Sequence, residues 1–174
     1  MNPEQFYVQA RSFTTAAITI IEDSQLFVAN YQLDHLCYRV QNADFYKIMK
    51  SFLSTQGPLI SEAQVNGREI STFKLANSVI VPGNPFRQIN IIELPSPKKK
   101  LYPTGFEHLE FVVPDIDHFQ NSYPNRPFER SNPNGQNPTL SLQFPHFAVK
   151  FHEQSLEEVI AKEQTEVKKI IPNQ

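Results

Sequence analysis

Apolar residues in the first thirty positions recur at helical spacing. Phe6, Phe13, Ala17, Ile20 and Ile21 fall on one stripe, and nothing after Pro3 interrupts it, so the pattern predicts a helix from residue 3 to about 30. The period then drops to two. In Asp34-His35-Leu36-Cys37-Tyr38-Arg39-Val40, Leu36, Tyr38 and Val40 take one face and His35, Cys37 and Arg39 the other, as in a strand. Ala43 to Leu53 returns to helical spacing, with Phe45, Ile48, Met49 and Phe52 on a stripe that Gly57-Pro58 ends. Leu59 to Val65 and Glu69 to Leu75 read as strands joined at Asn66-Gly67, the preferred pair for a two-residue hairpin turn. After a loop holding Pro82, Gly83 and Pro85, Gln88 to Leu94 forms another strand, giving the order β-α-β-β-β.

That order then repeats in shorter form. Glu107 to Val113 alternates as the first strand does, Asp115 to Ser122 holds a short helix, and strands follow near 128–130, 139–144 and 147–152. Ser155 with Glu158 three residues on is a capping-box signature, and it opens a closing helix to about Lys169. The clearest internal match is Asp34-His35-Leu36 against Glu107-His108-Leu109, 73 residues further on. The expectation is therefore an α+β fold of two tandem βαβββ modules in a single domain over residues 1–174. A helical arm spans 1–32, the first module 33–95, the second 106–153, and a C-terminal helix and tail 154–174. The Pro- and Lys-rich stretch between Pro95 and Gly105 is the linker.

Composition narrows the function classes. The 14 Pro and 5 Gly favour short stiff loops, and the 14 Phe supply bulk for a core. A net charge of −2 gives no field to recruit nucleic acid or an anionic membrane, and Lys98-Lys99-Lys100 reads as a solvated loop. With Cys37 as the single cysteine, neither an internal disulfide nor a cysteine-based zinc cluster can form. No signal peptide or transmembrane run is visible, so a cytoplasmic protein is expected, acting on a small molecule, with a homodimer left open.

The chemistry lies in the histidines. Of the five, three sit in predicted strands, His35, His108 and His152, on faces opposite an apolar row; His118 and His146 read as surface residues. Imidazole and carboxylate are the usual ligands of first-row metals where no thiolate is on offer. His35, Glu93 and His108, with His152 as a fourth member, are the candidate metal ligands. Open alternatives are a hydrogen-bonded structural role for each histidine, and an ion pair of Glu93 with Arg39 or Lys150. Glu110, two residues past His108 on the same face, is a fourth ligand, a general base or a charge balance. Arg39 and Lys150 are placed to hold an anionic group of a substrate. No Ser-His-Asp elbow, P-loop or dinucleotide turn is present.

Several short motifs in order resemble the YecM-like family of the vicinal oxygen chelate (glyoxalase/bleomycin-resistance/dioxygenase) superfamily. They are Asp34-His35, Val65-Asn66-Gly67-Arg68, Phe73-Lys74-Leu75, Ile92-Glu93-Leu94-Pro95, Tyr102-Pro103, Glu107-His108-Leu109-Glu110, Asn137-Pro138-Thr139-Leu140, Lys150-Phe151-His152 and Ser155-Leu156-Glu157-Glu158. The resemblance covers about residues 30 to 165. It implies paired modules curled into an open barrel-like cleft around a divalent metal (Zn, Ni, Co, Mn or Fe). The ligands would come from the first and last strands of each module, His35 and Glu93 from the first, His108 and His152 from the second. It further implies lyase, isomerase or dioxygenase chemistry on a small oxygen-bearing substrate, or a non-catalytic binding module of the same fold.

Overall fold

The structure is a computed structural model that describes residues 1–65, 67–82, 86–98, 102–133 and 137–170, with side chains to 166. The hairpin residue Asn66, the loop residues Gly83 and Pro85, and Lys99 and Lys100 of the basic run lie outside the described residues, as does the tail after 170.

The first helix, α1, runs Pro3–Asp23 and stops earlier than its apolar spacing predicts. Its end is a Schellman motif built without glycine. Gln25 adopts φ 65, its N–H bonds Glu22 O, and the N–H of the buried Leu26 reaches back to Ile21 O at 3.2 Å. The buried stripe is Phe6, Ala10, Thr14, Ala17, Ile18 and Ile21; Ile20 points to solvent and Phe13 is half-buried.

There follow β1 (Gln32–Arg39), α2 (Ala43–Gln56), β2 (Leu59–Val65), β3 (Arg68–Ile80) and β4 (Gln88–Pro95). The second module supplies β5 (Gly105–Val112), the two-turn α3 (Ile116–Ser122), β6 (Glu129–Ser131), β7 (Thr139–Gln143) and β8 (Ala148–His152), before α4 (Leu156–Ile170). The capping box predicted at Ser155 is present, and two further caps accompany it. Asn42 and Asp115 accept from Phe45 N and His118 N, and Ser155 and Glu158 bond each other's backbone N–H reciprocally. Gly57 ends α2 for a steric reason: a Cβ there would lie 2.0 Å from Lys74 O, so only glycine lets β3 pass.

All eight strands join one open mixed sheet in the order β2-β3-β4-β1-β5-β8-β7-β6. Each module contributes the same half, with its first and last strands parallel, and the halves meet where β1 runs antiparallel to β5. One face is the core. Leu36, Tyr38, Leu109, Phe111, Val149 and Phe151 are buried there, Phe6 of α1 meets Tyr38, and the Phe119 ring of α3 packs tilted against Phe151 with centroids 4.3 Å apart. Burying six such large side chains contributes on the order of 10 kcal/mol before entropy is charged against it. The opposite face of β1 and β5 is not solvated either. Gln32–Arg39 is buried from Leu33 through Tyr38, because its polar face floors a cleft. No helix among the described residues is long and apolar enough to cross a membrane.

Candidate metal centre

The ladder between β1 and β5 sets His35 opposite Glu110 and Cys37 opposite His108. Register shifts flank the run, between Leu33 and His35 and between Cys37 and Tyr38, and such irregularities re-aim side chains locally. On the outer sides, Glu93 of β4 lies beside Cys37, and Lys150 of β8 lies beside Glu110. Four adjacent strands thus point His35, Glu93, His108, Glu110 and Lys150 to one side.

Each of the three strand histidines has its Nδ1 held by a neighbour in its own strand or the turn after it. His35 Nδ1–H donates to Asp34 Oδ2 at 2.7 Å, His108 Nδ1–H to Glu107 Oε2, and His152 Nδ1–H to Gln154 O. The Nε2 atoms are therefore the free ends of the rings, and His35 and His152 line the cleft. This is the orientation a metal-ligating imidazole needs, with a carboxylate or carbonyl fixing the ring from behind. Asp34 and Glu107 are thus the two acids of the repeated acid-His-Leu motif, put to one use in both modules. Asp34 also accepts the N–H of Leu156 at 2.9 Å, tying β1 to the start of α4.

The facing atoms converge. His35 Nε2 is 3.3 Å from Glu110 Oε1 and 3.7 Å from Glu93 Oε2; His108 Nε2 is 3.0 Å from Glu110 Oε1 and 3.9 Å from Glu93 Oε2. Yet His35 Nε2 is buried and makes no hydrogen bond, its contacts with the two carboxylates being ion-pair distances only. One donor atom from each of His35, Glu93, His108 and Glu110 lies within 4.8 Å of the other three. Two imidazoles and two carboxylates, already desolvated and anchored from behind, suit a borderline or hard divalent cation, so the residues present fit the metal that the sequence motifs imply.

The electrostatics are tightly balanced. Burial pushes His35 down, but the carboxylates of Glu110, Asp34 and Glu93 outweigh it and hold its pKa well above the usual histidine range. His108 is likewise raised against burial, by Cys37 and Glu107, with Lys150 opposing. Burial pushes Glu110 up, and Lys150 and His35 more than reverse it, so its carboxyl is held well below the usual range. Glu93 is lowered against burial by His35. Lys150 is raised, with Glu110 and Glu93 outweighing burial. Its Nζ donates to Glu110 Oε1 at 2.6 Å and stands 2.9 Å from His108 Nε2.

Above this floor is a cleft of about 360 Å³. Its two walls differ. Val65 and Ile70 of the first module and Leu156 of α4 are aliphatic, whereas Ser131, Thr139 and Ser141 of the second module offer hydroxyls and Asn137 an amide. The polar wall was not singled out by sequence reasoning. Its signal was present in the short Ser/Thr-bearing strands, whose alternate residues lie beside Lys150 and His152.

The structure brings together His35, Glu93, His108, Glu110 and Lys150, with His152 adjacent. The His152 Nε2 is buried without a hydrogen-bond partner and lies 3.6 Å from both Asp34 Oδ2 and Glu110 Oε2. The ladder corrects one expected equivalence. It is Lys150, not His152, that occupies in the second module the position Glu93 holds in the first. Arg39 stands apart, 3.1 Å from Glu107 and over the Tyr102 ring, so it braces the acid behind His108 rather than lining the cleft. His118 and His146 are exposed, and Cys37 is fully buried.

Two βαβββ modules sharing one open sheet, with a His/carboxylate cluster where their first strands meet, define an α+β protein of paired modules around a candidate metal site. Within that class the chain belongs to the YecM family, whose model, described as YecM protein, matches residues 2–126. Protein YecM of Escherichia coli (strain K12) is 36% identical over 151 residues, covering 76% of this chain and 78% of that protein. Among solved structures, the structural-genomics protein EC4020 aligns with a TM-score of 0.72 and 28% identity, over 94% of this chain and 97% of that one. A hypothetical protein, BH1468 from Bacillus halodurans C-125, aligns with a TM-score of 0.50 and 15% identity over 72% and 96%, a likeness of fold alone.

Proposed function

We propose that this chain binds a divalent metal ion through His35, Glu93, His108 and Glu110 and acts on a small, oxygen-bearing, anionic substrate in the cleft, as a lyase, isomerase or dioxygenase. The observation that carries the reading is the buried, unpartnered Nε2 of His35, anchored by Asp34 and surrounded by two carboxylates. A polar nitrogen so placed is costly unless a ligand satisfies it. When bound, the ion supplies a Lewis acid for adjacent oxygens of the substrate; zinc, nickel, cobalt, manganese and iron(II) all suit a mixed nitrogen–oxygen set.

The remaining residues divide the other tasks. Glu110 belongs with the ligands in this reading, because its depressed pKa makes it a weak proton acceptor. His152 takes the part of the base on geometry: its Nδ1 is held by Gln154 O, and its buried Nε2 has no hydrogen-bond partner at the cleft. Lys150 supplies the countercharge for an anionic group of the substrate, and the hydroxyl-bearing wall orients its polar end.

The test is elemental analysis of protein purified without a metal-affinity tag. The expected result is close to one divalent ion per chain, lost in the His35→Ala, His108→Ala double variant. A trace metal content unchanged by the double substitution would refute the reading.

One observation favours a second reading, a binding module without chemistry. Glu93 and Glu110 are already balanced by Lys150 and a protonated His35, so the cleft closes its own charge account. Ligands that raise the melting temperature equally with and without chelator, and are recovered unchanged, would support it.

A further inference from the structure

We propose that Lys150 is a built-in cation that competes with the divalent metal for Glu110 and His108, and so sets the metal affinity of the site; the inference rests on the metal-binding reading above.

The argument begins with the internal repeat. Both modules pair their first and last strands in parallel. In the first, His35 lies beside Ile91 and Cys37 beside Glu93; in the second, His108 lies beside Ala148 and Glu110 beside Lys150. Matching the two ladders equates His35 with His108, Cys37 with Glu110, and Glu93 with Lys150. Where the first module puts a carboxylate into the cluster, the second puts an ammonium.

That ammonium is aimed at ligand atoms rather than at solvent. Lys150 Nζ donates to Glu110 Oε1 at 2.6 Å and lies 2.9 Å from His108 Nε2. With Nδ1–H of His108 donated to Glu107, the neutral ring that a metal requires presents its Nε2 lone pair to Lys150 Nζ. These two atoms are the ones a metal would coordinate in the second module. An imidazole lone pair serves one partner at a time, and two cations cannot share one carboxylate oxygen at contact distance without strong repulsion. Metal entry at those atoms therefore requires the ammonium to leave. The lysine stem is flexible enough to swing, and Ser141 lies beside Lys150 on the cleft wall. Affinity is thus reduced by the strength of the charge-assisted bonds that must break.

Cobalt(II) titration followed by its visible absorption tests this on wild type, Lys150→Met, Lys74→Met and the His35→Ala, His108→Ala double variant. Lys74 pairs with Glu157 on the exposed surface, so Lys74→Met controls for loss of one positive charge. The expected result is binding roughly tenfold or more tighter in Lys150→Met, from loss of a competing charge-assisted hydrogen bond. Lys74→Met matches wild type, and the double variant does not bind. Unchanged or weaker binding in Lys150→Met, with the double variant still silent, overturns the lysine inference and leaves the metal site standing. No cobalt binding to any of the four overturns both. Should Lys150→Met fail to fold, wild type alone suffices. The Lys150 ammonium protons, slowed in solvent exchange by their bonds to Glu110 and His108, become fast at one equivalent of zinc; ammonium protons still protected at saturation overturn the proposal.

Discussion

Substituting Asp34 separates the stability of the fold from the affinity of the site. Asp34 is 5% exposed, and its Oδ2 accepts two hydrogen bonds, from His35 Nδ1 at 2.7 Å and from Leu156 N at 2.9 Å. Asp34→Ala strips both donors of their acceptor. At about 1–3 kcal/mol for each unsatisfied buried group, the loss is roughly 2–6 kcal/mol. Asp34→Asn keeps an oxygen of the same reach and costs about 1 kcal/mol, but it removes the charge that would make His35 a stronger ligand in the proposed site. Loss of such an outer partner lowers metal affinity about 10- to 100-fold. The assay is a urea transition in chelator, paired with a cobalt titration, on both variants. The reasoning is refuted if Asp34→Ala lowers stability by less than about 1 kcal/mol, or if Asp34→Asn binds cobalt as wild type does.

Three other perturbations probe the frame and the charge balance. Gly57→Ala brings a methyl group to 2.0 Å from the backbone carbonyl of Lys74, so a loss of about 1–3 kcal/mol or more is expected in the denaturant midpoint, and an unchanged midpoint would show that β3 can yield there. Ser155→Ala removes one arm of the capping box at the start of α4 and should cost about 1 kcal/mol, read from the same transition. In metal-free protein, His35 and His108 carry raised pKa values, so the stability they contribute is fully present below 6.5, their ordinary value, and lost as pH rises through the raised ones. The midpoint in chelator should fall on raising the pH above that value, and His35→Gln should flatten the fall; a midpoint that rises instead contradicts the assignment.

Much of this was legible in the chain, for identifiable reasons. Period-two stretches fixed which residues of β1 and β5 share a face, and the acid-His-Leu repeat marked equivalent positions in two modules. The capping box at Ser155 announced α4. Three features were hidden. The helix α1 ends on Gln25 in a conformation usually left to glycine, so no composition signal marks the stop. Alternation in β1 reads as one buried and one wet face, whereas both are buried, because the cleft floor takes the place of solvent. The equivalence of Glu93 with Lys150 depends on strand register, which the hydrogen-bond ladder sets and side-chain type does not reveal. Asp34 and Glu107 were visible as neighbours of the histidines, but their grip on Nδ1 depends on side-chain rotation within one strand.

The meeting of β1 and β5 in the middle of the sheet also says where the molecule can breathe. Each of these strands is hydrogen-bonded on both sides, β1 between β4 and β5, β5 between β1 and β8, so their amides should exchange with solvent only on the slow, global opening of the fold. The edge strands β2 and β6 each pair with a single strand among the described residues and lie beside the cleft's opposite walls, near Val65 and Ser131. The floor that carries His35, His108 and Glu110 is therefore the part of the sheet expected to open last, and the rims beside it the part expected to open first.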